Sequence, residues 1–125
     1  MKKSVRFFEE YCQLFVTHAR GSNNEDNVVW MAEKDKEKQF IIVLIKGHSH
    51  HDQAQDDYGH IGFAVKTRAE IDRIANKAKD ANILAWPPTE EPYPVGYYCG
   101  VYDPDRRIIE FSYGQPLGPG SLSPA

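Results

Sequence analysis

Two residues of a metal-binding type, His60 and Glu110, fall on segments with the alternating pattern of β-strands. In the strand predicted at 60–65, apolar residues occupy every second position and would pack on the helix that follows, so His60 points to the opposite face. In the strand predicted at 107–112, Glu110 alternates with apolar neighbours in the same way. A single polar residue on a strand is more often structural or solvated, and it is the matched pair on matched faces that indicates a site. Imidazole and carboxylate suit Zn, Mn, Ni, Co or Fe, so the sequence predicts a site for a divalent metal.

Three further histidines, His48, His50 and His51, lie in a polar loop predicted at 47–59. Histidine-rich tracts bind metals, but this one lacks the helical or strand spacing that would position its rings. We interpret it as a solvated loop and keep a third metal ligand as the alternative. His18, on or near another strand, is a weaker candidate.

Aromatic residues are predicted to line a cavity for a small molecule. Two tyrosines share one face of the strand predicted at 97–102. Each aromatic side chain is also a natural core residue, which is the competing interpretation. The residues that we predict to contact a substrate are Tyr98, Tyr102, Trp86 and Tyr93, with Trp30 and Tyr97 as further candidates.

The first half of the chain is predicted to form a helix followed by three strands. The helix is predicted over 4–15, with Ser4 as its N-cap. Two of the three strands have predicted bounds, at 27–32 and at 40–46. The second of these is apolar on both faces, and such a strand is usually covered on both sides. The residues predicted to share the buried face of the helix are Val5, Phe8, Cys12 and Phe15.

The second half is predicted to form a strand, a helix and three more strands. The helix, over 68–81, opens with a capping box of Thr67 and Glu70. A short strand at 82–86 precedes the stretch 87–94, whose prolines we expect to keep it out of a sheet. The last two strands, at 97–102 and 107–112, are joined by a turn with proline at its second position. The face of the helix predicted to be buried consists of Ile71, Ile74, Ala75 and Ala78.

Three segments resemble the vicinal oxygen chelate superfamily of glyoxalases, bleomycin resistance proteins and dioxygenases. Residues 58–65 (YGHIGFAV) resemble the first strand of its second βαβββ module, and residues 103–110 (DPDRRIIE) resemble its last hairpin. Residues 4–14 resemble the helix of its first module. The resemblance implies an α+β fold of paired βαβββ modules that form a curved mixed sheet around a cavity.

The same resemblance implies a function and a site. It identifies His60 and Glu110 as ligands of a divalent metal and places a lid at 87–95. Glu90 and Glu91 in that segment disfavour a highly anionic substrate. The implied chemistry is that of a lyase, an isomerase or a dioxygenase, and a homodimer is expected. No catalytic base is identified.

The sequence departs from the family pattern in the first module. Met1 stands where the first strand, with its metal-binding histidine, should already have ended, and 40–45 offers no acidic ligand. Three explanations are open: the native chain begins earlier, the histidines of the 47–59 loop supply the ligand, or the protein binds small molecules without a metal. In the last hairpin, Arg106 replaces a glycine at a position that often needs a positive φ.

Composition limits the remaining possibilities. The chain has 125 residues, 41% of them hydrophobic, and a net charge of −3. This predicts one cytoplasmic domain over 1–115, with an incomplete module at 4–46, a complete one at 58–115 and a flexible tail at 116–125. No nucleic-acid partner is expected, because a basic patch is lacking, and no membrane partner, because no apolar run is long enough. Cys12 and Cys99 fit no metal or redox spacing and are interpreted as buried thiols.

Overall fold

The computed structural model describes residues 1–22, 24–47 and 53–116, which form two compact units, Met1–His51 and Asp52–Ala125. The α+β fold class predicted from the sequence is confirmed: a helix and three strands are followed by a strand, a helix and three strands. None of the described helices is long and apolar enough to cross a membrane.

The first unit contains helix α1 (Lys2–Cys12) and strands β1 (Phe15–Ser22), β2 (Glu25–Ala32) and β3 (Ile42–Ile45). The strands form an antiparallel sheet in the order β1-β2-β3. Met31 and Val29 of β2 are almost fully buried in this unit.

The predicted details of α1 need two corrections. Met1 is the N-cap, without a side-chain hydrogen bond, and Ser4 is a buried residue inside the helix. The helix ends at Cys12 because Gln13 adopts a left-handed conformation, so Phe15 belongs to β1 and lies outside the buried face. The residues of α1 that are buried are Ser4, Phe7, Phe8, Tyr11 and Cys12.

Strand β3 also differs from the prediction. The apolar segment 40–46 was expected to be covered on both sides, but β3 is an edge strand of the three-stranded sheet. Ile45 is 71% exposed and Phe40, which precedes the strand, is 68% exposed. Periodicity reports which residues are apolar, whereas the number of neighbouring strands is set by the tertiary fold.

The second unit contains β4 (Ile61–Ala64), α2 (Arg68–Asp80), β5 (Leu84–Glu91), β6 (Gly96–Tyr102) and β7 (Ile108–Tyr113). Its sheet has the order β4-β7-β6-β5, with β4 parallel to β7 and the other neighbours antiparallel. Helix α2 packs on β5, β6 and β7. The core is made of Ile71, Ala75 and Ala78 of α2 together with Cys99, Val101, Ile109 and Phe111 of the sheet. Burial raises the pKa of the Cys99 thiol to about 12, consistent with an unreactive core residue.

The start of α2 is set by local hydrogen bonds. Thr67 is the N-cap, and its Oγ1 accepts a hydrogen bond from the Glu70 backbone N–H at 3.2 Å. The Glu70 carboxylate accepts from the Lys66 backbone N–H at 3.2 Å, one residue before the position in a standard capping box. The predicted helix start is therefore confirmed.

Strand β5 corrects the interpretation of the proline-rich segment. It was expected to stay outside the sheet, but β5 runs through Pro87 and Pro88 to Glu91. The prolines are accommodated because β5 is an edge strand and its pairing with β6 shifts register on both sides of Trp86. Tyr93 and Val95 lie in the turn that follows.

The turn before β7 has the strained residue that the sequence anticipated. Arg106 has φ 65°, and its backbone N–H donates to the Asp103 carbonyl at 2.9 Å. The Asp103 carboxylate caps the turn by accepting from the backbone N–H groups of Asp105 and Arg107 at 2.9 and 2.8 Å. Arg106 also stacks its guanidinium on the Tyr102 ring, 4.1 Å from the centroid, a contact that a glycine could not make.

Candidate functional site

His60 and Glu110 meet in the second unit because β4 pairs in parallel with β7. In that pairing Gly62 stands opposite Glu110. Strand alternation puts His60 on the same face as Gly62. The His60 Nε2 atom lies 3.4 Å from Glu110 Oε2, and the two side chains are 32% and 15% exposed.

The other nitrogen of His60 is held by the backbone. His60 Nδ1 lies 2.8 Å from the Tyr58 carbonyl oxygen. A carbonyl oxygen can only accept, so Nδ1 carries a proton and donates it to Tyr58, which leaves Nε2 as the ring nitrogen on the side of Glu110. Backbone contacts of this kind orient metal-binding histidines in proteins generally.

A glycine makes room for the carboxylate. A Cβ atom added at Gly62 would stand 3.2 Å from Glu110 Oε2, closer than ordinary packing allows. The position opposite Glu110 therefore has to be small, and a glycine inside a strand is a sequence signal for such an approach. Sequence reasoning treated Gly62 only as an alternation position.

The loop before β4 is closed by Gln53. Its Nε2 donates to the backbone carbonyls of Asp57 and Gly59, at 2.8 and 2.5 Å. The Asp57 carboxylate in turn accepts from the Gly59 backbone N–H at 3.0 Å. These bonds fix the chain directly before His60. Sequence reasoning missed Gln53, since nothing in its local sequence indicates a partner four to six residues away.

Trp86 forms a wall next to His60. A Cβ atom added at Gly100 would lie 2.7 Å from two atoms of the indole ring, so the ring rests directly on the glycine backbone. The ring is nearly perpendicular to that of His60, with centroids 5.5 Å apart. It is also nearly perpendicular to Tyr98, at 6.4 Å.

These side chains border a cavity of about 700 Å³, which is within the usual range for small-molecule sites. Three of the four residues predicted to contact a substrate line it. The described lining residues are Gln53, Ala54, Gln55, Asp57, Tyr58, His60, Trp86, Pro87, Thr89, Val95, Tyr98, Tyr102, Ile108 and Glu110.

Comparison with known proteins identifies a relative. The chain is 49% identical over 117 residues to the uncharacterised protein PA2024 of Pseudomonas aeruginosa, an alignment that covers 94% of this chain and 83% of the relative. The chain belongs to the family of PA2024. No family model matches the sequence.

Solved structures show that this chain, a relative of PA2024, has the fold of the vicinal oxygen chelate superfamily. A possible glyoxalase from Bacillus cereus superimposes with a TM-score of 0.65 at 23% identity, covering 89% of this chain and 87% of that one. The fosfomycin resistance protein FosX of Listeria monocytogenes, in a variant complexed with Mn(II) and a dihydroxypropylphosphonic acid, superimposes with a TM-score of 0.67 at 16% identity. That match covers 90% of this chain and 82% of FosX.

The other residues that the sequence predicted as functional in this member of the PA2024 family are not among the described cavity-lining residues. Tyr93 is 47% exposed and is not among the described cavity-lining residues. The Tyr97 hydroxyl donates to the Asp72 carboxylate of α2. Its ring carries the Arg68 guanidinium, 4.0 Å from the centroid. Trp30 contacts His18 in the first unit, with ring centroids 5.3 Å apart. His48, His50 and His51, and the tail from residue 117 onward, fall outside the described residues.

The donor set of this chain fits a metal in part. Ordinary metal–ligand distances are about 2.0–2.2 Å. Atoms 3.4 Å apart, as His60 Nε2 and Glu110 Oε2 are, can therefore contact one ion. Within residues 1–22, 24–47 and 53–116, no group of three or more histidine, cysteine or acidic side chains is placed to hold a metal. The described part of the chain thus offers two candidate ligands.

Proposed function

We propose that this protein is a metal-dependent enzyme acting on a small organic molecule, with the chemistry of a lyase, an isomerase or a dioxygenase. The observation that carries the proposal is the pairing of His60 Nε2 with Glu110 Oε2 at 3.4 Å on the border of the cavity. The hydrogen bond from Nδ1 to the Tyr58 carbonyl supports it, because it leaves Nε2 free to bind a metal.

The residues of the cavity have distinct proposed roles. His60 and Glu110 would hold a divalent ion (Zn, Mn, Ni, Co or Fe), which supplies Lewis acidity toward an oxygen of the substrate. Trp86, Tyr98 and Tyr102 would contact the organic part of the substrate and exclude water from it. The Mn(II) bound by the structurally similar FosX is consistent with a metal in this fold.

A catalytic metal site usually has three protein ligands and one open position. A third ligand would come from the histidines of the 47–59 loop. A homodimer stays a prediction, and sedimentation as a monomer at micromolar concentration would contradict it.

Metal content per chain tests the proposal. We expect about one divalent ion per chain in untagged protein by elemental analysis, lost in both His60→Ala and Glu110→Ala. Glu91→Gln changes an exposed carboxylate that is not among the described cavity-lining residues and should keep the ion. A triple alanine variant of His48, His50 and His51 tests the loop as the source of the third ligand.

A second function is favoured by one observation. The described residues offer only two candidate metal ligands on a cavity lined in part by Tyr58, Trp86, Tyr98 and Tyr102, which also suits a metal-free protein that binds and sequesters a flat hydrophobic compound. Protein without a bound metal, before and after supplementation, would overturn the enzyme proposal and leave this second function.

A further inference from the structure

Among the described lining residues of the cavity, the charged side chains are carboxylates, and His60 is charged only when it is protonated. Asp57 and Glu110 line the cavity, and no lysine or arginine is among its described lining residues. A cleft lined by one sign of charge concentrates ligands of the opposite sign. The metal-free cavity therefore favours a cationic ligand over an anionic one.

Three side chains of the cavity lining use their hydrogen-bond donors inside the protein. The Gln53 amide donates both N–H groups to backbone carbonyls, and His60 donates its Nδ1–H to Tyr58. The Thr89 hydroxyl donates to the Pro87 carbonyl at 2.9 Å. The two lining carboxylates, Asp57 and Glu110, are acceptors. The arrangement suits a ligand that brings its own N–H donors.

The aromatic rings favour the same kind of ligand. The rings of Trp86 and Tyr98, which both line the cavity, offer the electron-rich surfaces on which cations bind. The ring of Tyr102, another lining residue, already makes a cation–π contact within the protein, because the Arg106 guanidinium lies over it. A flat ligand could stack on Trp86 while its cationic end reaches the carboxylates.

We propose that the cavity binds a planar organic cation with N–H donors, of the amidinium or protonated aromatic amine class. The inference rests on the proposed function in one respect, that this cavity is the ligand site. It concerns the metal-free protein, because a divalent ion held by His60 and Glu110 would neutralise part of the acidic lining.

Three probes of nearly equal shape test the proposal: 2-naphthamidine, 2-naphthamide and 2-naphthoate, which are cationic, neutral and anionic at neutral pH. Their binding to metal-depleted protein is measured by isothermal titration calorimetry. We expect naphthamidine to bind at least about tenfold more tightly than naphthoate, with naphthamide between them, because charge is the main difference among the three. Equal or tighter binding of naphthoate would overturn the proposal, and so would the absence of binding by all three at millimolar concentration.

Charge-removing variants locate the effect. Glu110→Gln and Asp57→Asn keep the shape of each side chain, and each should lower naphthamidine affinity about three- to tenfold while naphthamide affinity stays within about twofold. Glu91→Gln removes an exposed carboxylate that does not line the cavity and should change neither. An equal loss of affinity for naphthamidine and naphthamide would mean that the cavity does not recognise the charge of the ligand, and it would overturn the proposal. Elemental analysis of the metal is a separate measurement, so failure of the metal proposal and failure of this one are distinguishable.

Discussion

Replacing Gly100 by alanine should strain the cavity wall in a way that can be measured. Gly100 pairs with Trp86 on one side and with Glu110 on the other. An alanine Cβ would stand 2.7 Å from Cδ2 and from Cε3 of the indole. Carbon atoms pack at about 3.5–4.0 Å, so the ring would have to retreat by about 1 Å.

Two opposing terms set the size of the effect. Forcing a methyl group into a packed contact costs about 1–3 kcal/mol. The backbone of Gly100 is not in the left-handed region, so alanine also gains about 0.4–1 kcal/mol by restricting the unfolded chain. We expect Gly100→Ala to lower the free energy of unfolding by about 1–2 kcal/mol.

Urea denaturation followed by tryptophan fluorescence measures this change. Gly47→Ala is the matched control: a Cβ atom there meets nothing within 4 Å, so stability should stay the same or rise by about 0.4–1 kcal/mol. Combining Gly100→Ala with Trp86→Leu should reduce the cost, because the smaller and flexible side chain can turn away from the new methyl group.

Two results would refute the reasoning. One is a Gly100→Ala protein as stable as the wild type while Gly47→Ala behaves as expected. The other is an unchanged cost in the Trp86→Leu background, since the strain would then lie elsewhere. A ring pushed off Gly100 moves toward the open cavity, so naphthamidine binding should weaken in Gly100→Ala as well.

Two further predictions concern Gly62 and Asp103. Gly62→Ala should lower metal affinity by up to about tenfold in competition with a chelator, because its Cβ atom would push the Glu110 carboxylate aside by a few tenths of an ångström; unchanged affinity would contradict the prediction that the carboxylate needs a glycine at this position. Burial raises the pKa of Asp103 above its ordinary 3.8, so the native state retains a proton that the unfolded chain has already released. Wild-type stability, relative to Asp103→Asn, should therefore fall as pH rises from about 3.8 through the raised pKa, then level off. The midpoints of urea denaturation of the two proteins, measured across that pH range, test the direction of this change. Parallel pH profiles of the two proteins would contradict the prediction.

Local hydrogen bonding made several elements predictable from the sequence. The start of α2 depends on Thr67 and Glu70, three residues apart, and the turn before β7 is closed by Asp103 within four residues. Partners this close in the chain meet whatever the rest of the fold does. Strand alternation likewise put His60 and Glu110 on matching faces, because it is a property of the extended backbone itself.

Other features depended on which strands became neighbours. Pro87 and Pro88 lie within a strand because β5 is at the edge of its sheet and shifts register there, and the apolar β3 is likewise an edge strand, with Ile45 71% exposed. Hydrophobic patterns carry no information about sheet order, so the sequence predicted the opposite for both.

The sequence by itself determined the order of helices and strands, the resemblance to a family, and the two residues most suited to bind a metal. Only the tertiary structure decided what surrounds them: the parallel pairing that puts Gly62 under the Glu110 carboxylate, the indole of Trp86 resting on Gly100, and the Gln53 amide closing the loop before His60. Each of these contacts joins residues whose separation or register the local sequence does not specify. The shape and charge of the cavity therefore emerge only when the strands pair.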